Sequence, residues 1–188
     1  DELIALARKS ADKPLTYGSV GIGSLYHLIL ENVQAQTGIK LAHVPYKGNA
    51  PLLQDIGGGQ VDFAVLVYSA AMGALAEQGK MKVIGQLGAQ RSELLKNLPT
   101  ASEGQALKNF SYKIWTGFMV PKSTPEDVVN RLHAAIGKTL QSPEVRAQLA
   151  AQTQVASAPM TLAESAKFFE AETARYRAIA KQINLQPQ

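Results

Sequence analysis

The chain has 188 residues, 46% of them hydrophobic, and 19 Lys and Arg against 15 Asp and Glu give a net charge of +4. That length and hydrophobic content support a packed core in one domain or two small lobes and exclude a disordered chain. With no cysteine there is no thiolate zinc site, disulfide or Cys nucleophile, and the scattered basic residues form no aromatic-interleaved run of the kind that grips nucleic acid.

Residues 1–10 are already helical in pattern and do not begin with Met, so a processed leader or a larger segment is expected to have preceded them. No apolar run within the 188 residues is long enough to span a membrane, and none has the pattern of a signal peptide. The spacing then predicts a strand over 15–20, a tight turn over 21–24 and a helix over 25–36 that ends at Gly38. A strand over 41–46 is closed by Pro45 and Gly48, a helix starts at Pro51 and ends at the glycines 57–59, and a strand over 61–68 follows. This is a βαβ unit. Ligands in such units sit beyond the carboxyl ends of the strands, here around residues 45–48 and 68–70.

A helix over 70–78 closed by Gly79 and a strand over 81–87 complete the pattern. Near-continuous apolar strands alternating with helices predict a parallel sheet covered on both faces. Residues 88–108 form a polar connector with a short helix over 100–105, a candidate domain edge. Residues 110–120 read as a long strand with Phe110, Tyr112, Ile114, Phe118 and Val120 on one face and Lys113, Trp115 and Met119 on the other. The rest is helical. Thr124 and Pro125 open one helix, Ser142 and Pro143 a second, and Thr161 with Glu164 forms a capping box for the last. The last helix is amphipathic, with Phe169, Tyr176, Ala180 and Ile183 at helical spacing.

The segment Tyr17-Gly-Ser-Val-Gly-Ile-Gly-Ser24 carries the most chemistry, because a strand-to-helix turn exposes backbone amides where the helix dipole is positive. It is no phosphate loop, since Ser24 stands where the Lys must be, and no dinucleotide fingerprint, since Tyr26 replaces the third glycine. A carboxylate, with Ser19 and Ser24 as hydroxyl donors, fits best, against a merely structural turn capped by Ser24. The three histidines lack metal or catalytic spacing and read as structural: His27 in a first helical turn, His43 on a strand, and His133 beside the stripe of Val129, Leu132 and Ile136. No nucleophile elbow is present, and Asp55 and Asp62 flank the glycine turn, where Asp62 is expected to bond turn amides. Lys47 either meets an acidic ligand or stands in water. Trp115 shares its face with Lys113 and Gly117 and is expected to line a cleft.

Six segments together resemble one family. Tyr17-Gly-Ser-x-Gly-x-Gly-Ser24, His43-Val-Pro-Tyr-Lys-Gly-x-Ala-Pro51, Gly58-Gly-Gln-Val-Asp62, Arg91-Ser with Leu98-Pro-Thr100 and Glu103, Trp115-x-Gly117 and Ser142-Pro-Glu-Val145 fall in the order seen in Bug-type (TctC-like) solute-binding proteins of tripartite tricarboxylate transporters. The resemblance runs the whole chain and implies an α/β, type II periplasmic-binding-protein-like fold, with a parallel sheet lobe flanked by helices and a partial second lobe. It implies a non-enzymatic, periplasmic receptor without cofactor or metal, which closes on a dicarboxylate, amino acid or aromatic acid and serves membrane transporter subunits. The resemblance implies ligand contacts from the loop of Gly18, Ser19, Gly21, Gly23 and Ser24, largely through backbone amides, and the reading of the strand ends and the cleft adds Tyr46, Lys47, Tyr68, Ser69 and Trp115 as candidates.

The family's N-terminal third has no counterpart in these residues, which leaves residues 1–109 as a near-complete lobe and 110–188 as a crossover strand plus helices of an incomplete one. Helices without their sheet would expose apolar surface, favouring self-association or a separate partner chain. Residues 67–69, Val-Tyr-Ser, replace the family's more polar turn. The competing reading is a cytosolic effector-sensing domain of a transcription regulator, marked by a helix-turn-helix just upstream.

Overall fold

A strand of five residues, β1 (Leu15–Ser19), lies at the centre of a three-stranded parallel sheet, between β2 (Leu41–Pro45) and β3 (Phe63–Ala64). The structure is a computed structural model and describes residues 1–151, 154–183 and 185. Alternation along the strands sends successive cross-strand rows to opposite faces. One row is Phe63, Tyr17 and His43, and the next is Ala64, Gly18 and Val44. Helix α2 (Leu25–Thr37) brings His27 over the first row, where its ring stacks on His43, and it buries Ile29, Leu30 and Val33. Helix α3 (Asn49–Gly57) covers the other face through the fully buried Leu52, which lies against Gly18. The sheet is therefore flanked on both faces, as expected.

The helices that read most clearly from the sequence end where their caps dictate. Gly38 closes α2 at φ 70°, and Ser69 caps α4 (Ala70–Glu77) by accepting from the Met72 amide. Helix α1 (Glu2–Lys9) buries Ile4 and Ala7. No helix among the described residues is long and apolar enough to cross a membrane.

Three predicted strands come out differently. Only Phe63–Ala64 pairs out of 61–68, residues 81–87 contribute a single bridge from Gln86 to Thr100, and 110–120 is not a strand. An apolar extended segment becomes a ladder only when another strand lies beside it to take its N–H and C=O groups. Among the described residues no such neighbour runs along 81–87 or 110–120.

The polar connector is held by the residues that make up its motif. The Arg91 guanidinium forks the Glu103 carboxylate, Nε to Oε1 at 2.8 Å and Nη2 to Oε2, while Glu103 also accepts from the Thr100 amide in a capping box. Gln86 donates to the Leu95 and Leu98 carbonyls and accepts from the Ser92 amide. The predicted short helix appears as a 3-10 turn, Ala101–Glu103.

Arg91 and the Thr100 amide hold the Glu103 carboxyl at about 2, below its ordinary 4.5. Because the folded value is the lower one, this contribution to stability is complete above pH 4.5 and is lost as pH falls through about 2. Both side chains are exposed, so the contribution is small. Arg91→Ala should move the Glu103 titration up toward the ordinary carboxylate range, read by NMR of the carboxyl carbon.

The chain divides into two compact units, Asp1–Ile114 with Arg177–Gln188, and Trp115–Tyr176. Phe110 and Tyr112 belong to the first, where their rings meet at 5.0 Å and the Tyr112 hydroxyl accepts from Asn32 Nδ2 at 2.7 Å. The second contains α5 (Glu126–Gln141), α6 (Pro143–Ala151) and most of α7 (Leu162–Gln182). Ser142 accepts from the Val145 amide at the start of α6, and Thr161 and Glu164 exchange the bonds of the capping box. The cap at Thr124 is corrected: α5 begins after Pro125 and no side chain caps it. The face of 110–120 that runs through Phe118 ends exposed, with Phe118 at 77%.

Candidate functional site

The loop between β1 and α2 is built by what lies beneath it. Gly18 lets α3 pack close to β1, because a Cβ there would come within 2.1 Å of Leu52 Cδ1 and force it to move. Ser19 is fully buried. Its Oγ contacts His43 Nε2 at 2.7 Å, accepts from the Gly21 amide at 3.2 Å and lies 3.0 Å from the Gly21 carbonyl. Gly23 turns the chain at φ 77°, a left-handed conformation that favours glycine, and its amide donates to His27 Nδ1 at 3.1 Å. Ser24 caps α2 by accepting from the His27 amide at 3.4 Å.

These bonds occupy the amides of Gly21 and Gly23 inside the loop, and the Ser24 amide donates to the Gly21 carbonyl. The amides of Ile22, Leu25 and Tyr26 have no partner among the described residues. Ile22 is 49% exposed, Leu25 and Tyr26 are half-buried, and the three amides lie in the loop before the 13-residue α2 and in its first turn, where the helix dipole favours an anion.

The neighbouring strand ends are placed as follows. The Tyr46 amide donates to the Ser19 carbonyl at 2.8 Å, which lays the 45–48 turn alongside the loop. The Tyr46 hydroxyl donates to Asp55 Oδ2 at 2.8 Å, and both burial and that carboxylate raise its pKa. Lys47 is exposed and makes no ion pair among the described residues. Tyr68 lies over α4, with its hydroxyl 2.8 Å from where a Cβ on Gly73 would stand, and Ser69 caps that helix. Trp115 belongs to the second unit. It packs edge-on against Phe168 and Phe169 of α7 and donates from Nε1 to Glu172 Oε2 at 3.2 Å.

Two features lay outside the sequence reading. Tyr17, His43 and His27 form a continuous stack, with centroids 4.8 and 4.2 Å apart, and the Tyr17 hydroxyl donates to Glu31 Oε1 at 2.6 Å. Burial, with help from Glu31, raises the Tyr17 pKa, and burial lowers both histidines, His43 further through His27. The clue was available in the parallel register, which sets Tyr17 opposite His43, but strand order is not written in spacing. The second feature is Asp62, which bonds no turn amide. Its Oδ2 instead accepts from both the amide and the hydroxyl of Thr16 at 2.7 Å, fastening the start of β1 to the approach to β3.

A small parallel sheet whose strand-to-helix loop offers free amides agrees with the comparison to known families. The family model of the tripartite tricarboxylate transporter family receptor matches residues 1–185. The chain belongs to that family. One relative, the UPF0065 protein of the tcbD-tcbE intergenic region of Pseudomonas sp. strain P51, is 32% identical over 188 residues, covering 98% of this chain and 54% of its own length. Among solved structures, Rpa4515 of R. palustris with adipate aligns over all of this chain and 61% of its own, at 28% identity and a TM-score of 0.83. The periplasmic binding protein BugD aligns over all of this chain and 62% of its own, at 25% identity and a TM-score of 0.77. The type II periplasmic-binding fold and the Bug-type likeness implied by the six motifs therefore hold, and this chain spans about half to three-fifths of the length of these relatives.

Proposed function

We propose that this family member serves as a periplasmic receptor that binds a small carboxylate, of the dicarboxylate, amino acid or aromatic acid class, for the membrane subunits of a tripartite transporter. The observation that carries this reading is the set of amides at Ile22, Leu25 and Tyr26, at the N-terminus of α2, that have no partner among the described residues. Ser24 can still donate its hydroxyl hydrogen, since its Oγ only accepts from His27. Lys47, on the adjoining turn, supplies a cation without an ion-pair partner among the described residues. Gly18 and Ser19 act from below, by packing and by holding the loop. Support for the ligand class comes from the relative solved with adipate. The family match and this loop favour the receptor over an effector-sensing domain, and nothing in the loop supplies a nucleophile paired with an accessible base.

Calorimetry with adipate is expected to give a saturable heat, and Lys47→Ala should weaken it by about 3- to 10-fold, the range of one exposed charge-assisted contact. Absence of heat with adipate, other dicarboxylates, amino acids and aromatic acids alike would sink the reading.

A further inference from the structure

The loop that offers the free amides is tied down through a histidine nitrogen, and that bond exists in one protonation state only. Gly23 N–H donates to His27 Nδ1, so Nδ1 must carry a lone pair and the ring proton must sit on Nε2. Protonated, Nδ1–H would face the Gly23 N–H, donor against donor. His43 differs, because Ser19 Oγ can accept a hydrogen bond from a protonated Nε2. The groups facing His27 are few. From α2 itself comes Glu31, with Oε1 at 3.9 Å from His27 Nε2 and already accepting from the Tyr17 hydroxyl and Gln34 Nε2. From β2 comes the stacked ring of His43, and behind it from β1 the neutral phenol of Tyr17.

We propose that His27 is a proton-operated latch on the carboxylate loop: neutral, its Nδ1 holds the Gly23 amide in place, and protonated, it releases that amide and slackens the loop. The regulatory consequence, weaker carboxylate binding at acidic pH, rests on the reading of this loop as the ligand site. Burial, the larger influence, lowers the His27 pKa, and Glu31 opposes it. With the folded value below the unfolded one, the latched form is fully stable above the ordinary histidine range. That stability falls as pH drops from the unfolded value through the folded one.

The latch is tested first without ligand, by nitrogen–proton NMR of the 188-residue chain during acidification. The Gly23 amide and the His27 ring nitrogens should shift with one common midpoint, while the amides of the buried Ile29 and Leu52 stay in place. In His27→Asn, whose side-chain oxygen can accept the same bond but does not titrate, the Gly23 shift should be flat. A Gly23 amide that stays still while His27 titrates overturns the latch. So does one that is lost only together with Ile29 and Leu52, which is global unfolding. If His27→Asn does not fold, the unsubstituted chain decides alone.

Adipate affinity is then compared between neutral pH and about pH 5, where it should fall by about 3- to 10-fold beyond the change shown by His27→Asn, which removes the ligand's own titration from the comparison. Equal falls in the two proteins overturn the regulatory role. No adipate binding at any pH defeats the proposed function, and the ligand-free titration still decides the latch.

Discussion

Gly18→Ala is expected to destabilise the first unit by about 1–3 kcal/mol, the cost of forcing a methyl into a filled core. The new Cβ would stand 2.1 Å from Leu52 Cδ1 and 3.4 Å from the Tyr46 ring. Leu52 is fully buried, so moving it aside means repacking a close-packed interior. Leu52→Ala alone should cost about 2–5 kcal/mol through lost burial and a residual cavity. The pair is the informative experiment. In the double variant the clash atom is gone and the alanine at 18 fills part of the cavity, so the combined loss should fall short of the sum by more than about 0.5 kcal/mol. Urea unfolding followed by far-ultraviolet circular dichroism measures all four proteins. The single tryptophan, Trp115, lies in the second unit, so its fluorescence reports that unit separately and should be little changed. Strict additivity would show that α3 does not pack on β1 as described.

Tyr17→Ala is expected to cost about 3–5 kcal/mol, the range for removing a buried aromatic side chain. The side chain is fully buried, stacks on His43 and approaches Phe63 at 6.3 Å. Tyr17→Phe separates packing from the hydrogen bond. It keeps the ring and removes only the donor to Glu31 Oε1, which still accepts from Gln34 Nε2. Its cost should be about 1 kcal/mol, near the net worth of one hydrogen bond. Equal losses for the two variants would mean that the stack contributes nothing. Because His43 and His27 continue the stack, the alanine variant should also broaden the Gly23 amide resonance, a sign that the loop has lost its floor.

These two substitutions touch opposite faces of one strand. Gly18 faces α3 and Tyr17 faces α2, and the loop that follows inherits its position from both. Its anchoring bonds lie beneath it, while the amides without a partner among the described residues are those of Ile22, Leu25 and Tyr26.

Local chemistry was legible wherever the signal was local. The glycine stop at Gly38, the serine cap at Ser142 and the capping box of Thr161 and Glu164 each involve residues within one helical turn, and each stands where the spacing put it. The βαβ unit through β2, α3 and β3 was legible for the same reason, as was the turn that joins β1 to the start of α2. Residues 81–87 and 110–120 were misread because alternation records what a segment could pair with, and the pairing itself depends on a strand far away in sequence.

The sequence by itself determined the α/β class, the order of helices around the first two strands, and a glycine-serine turn between β1 and α2. Only the tertiary structure decided which atoms of that turn remain free. Parallel register sets Tyr17 beside His43, and α2 folds His27 onto that ring. The Gly21 and Gly23 amides are thereby taken up inside the loop, at Ser19 and His27, while those of Ile22, Leu25 and Tyr26 have no partner among the described residues. The physical reason is that a hydrogen bond between residues four apart can be guessed from spacing, but the ring that holds its acceptor in place comes from another strand.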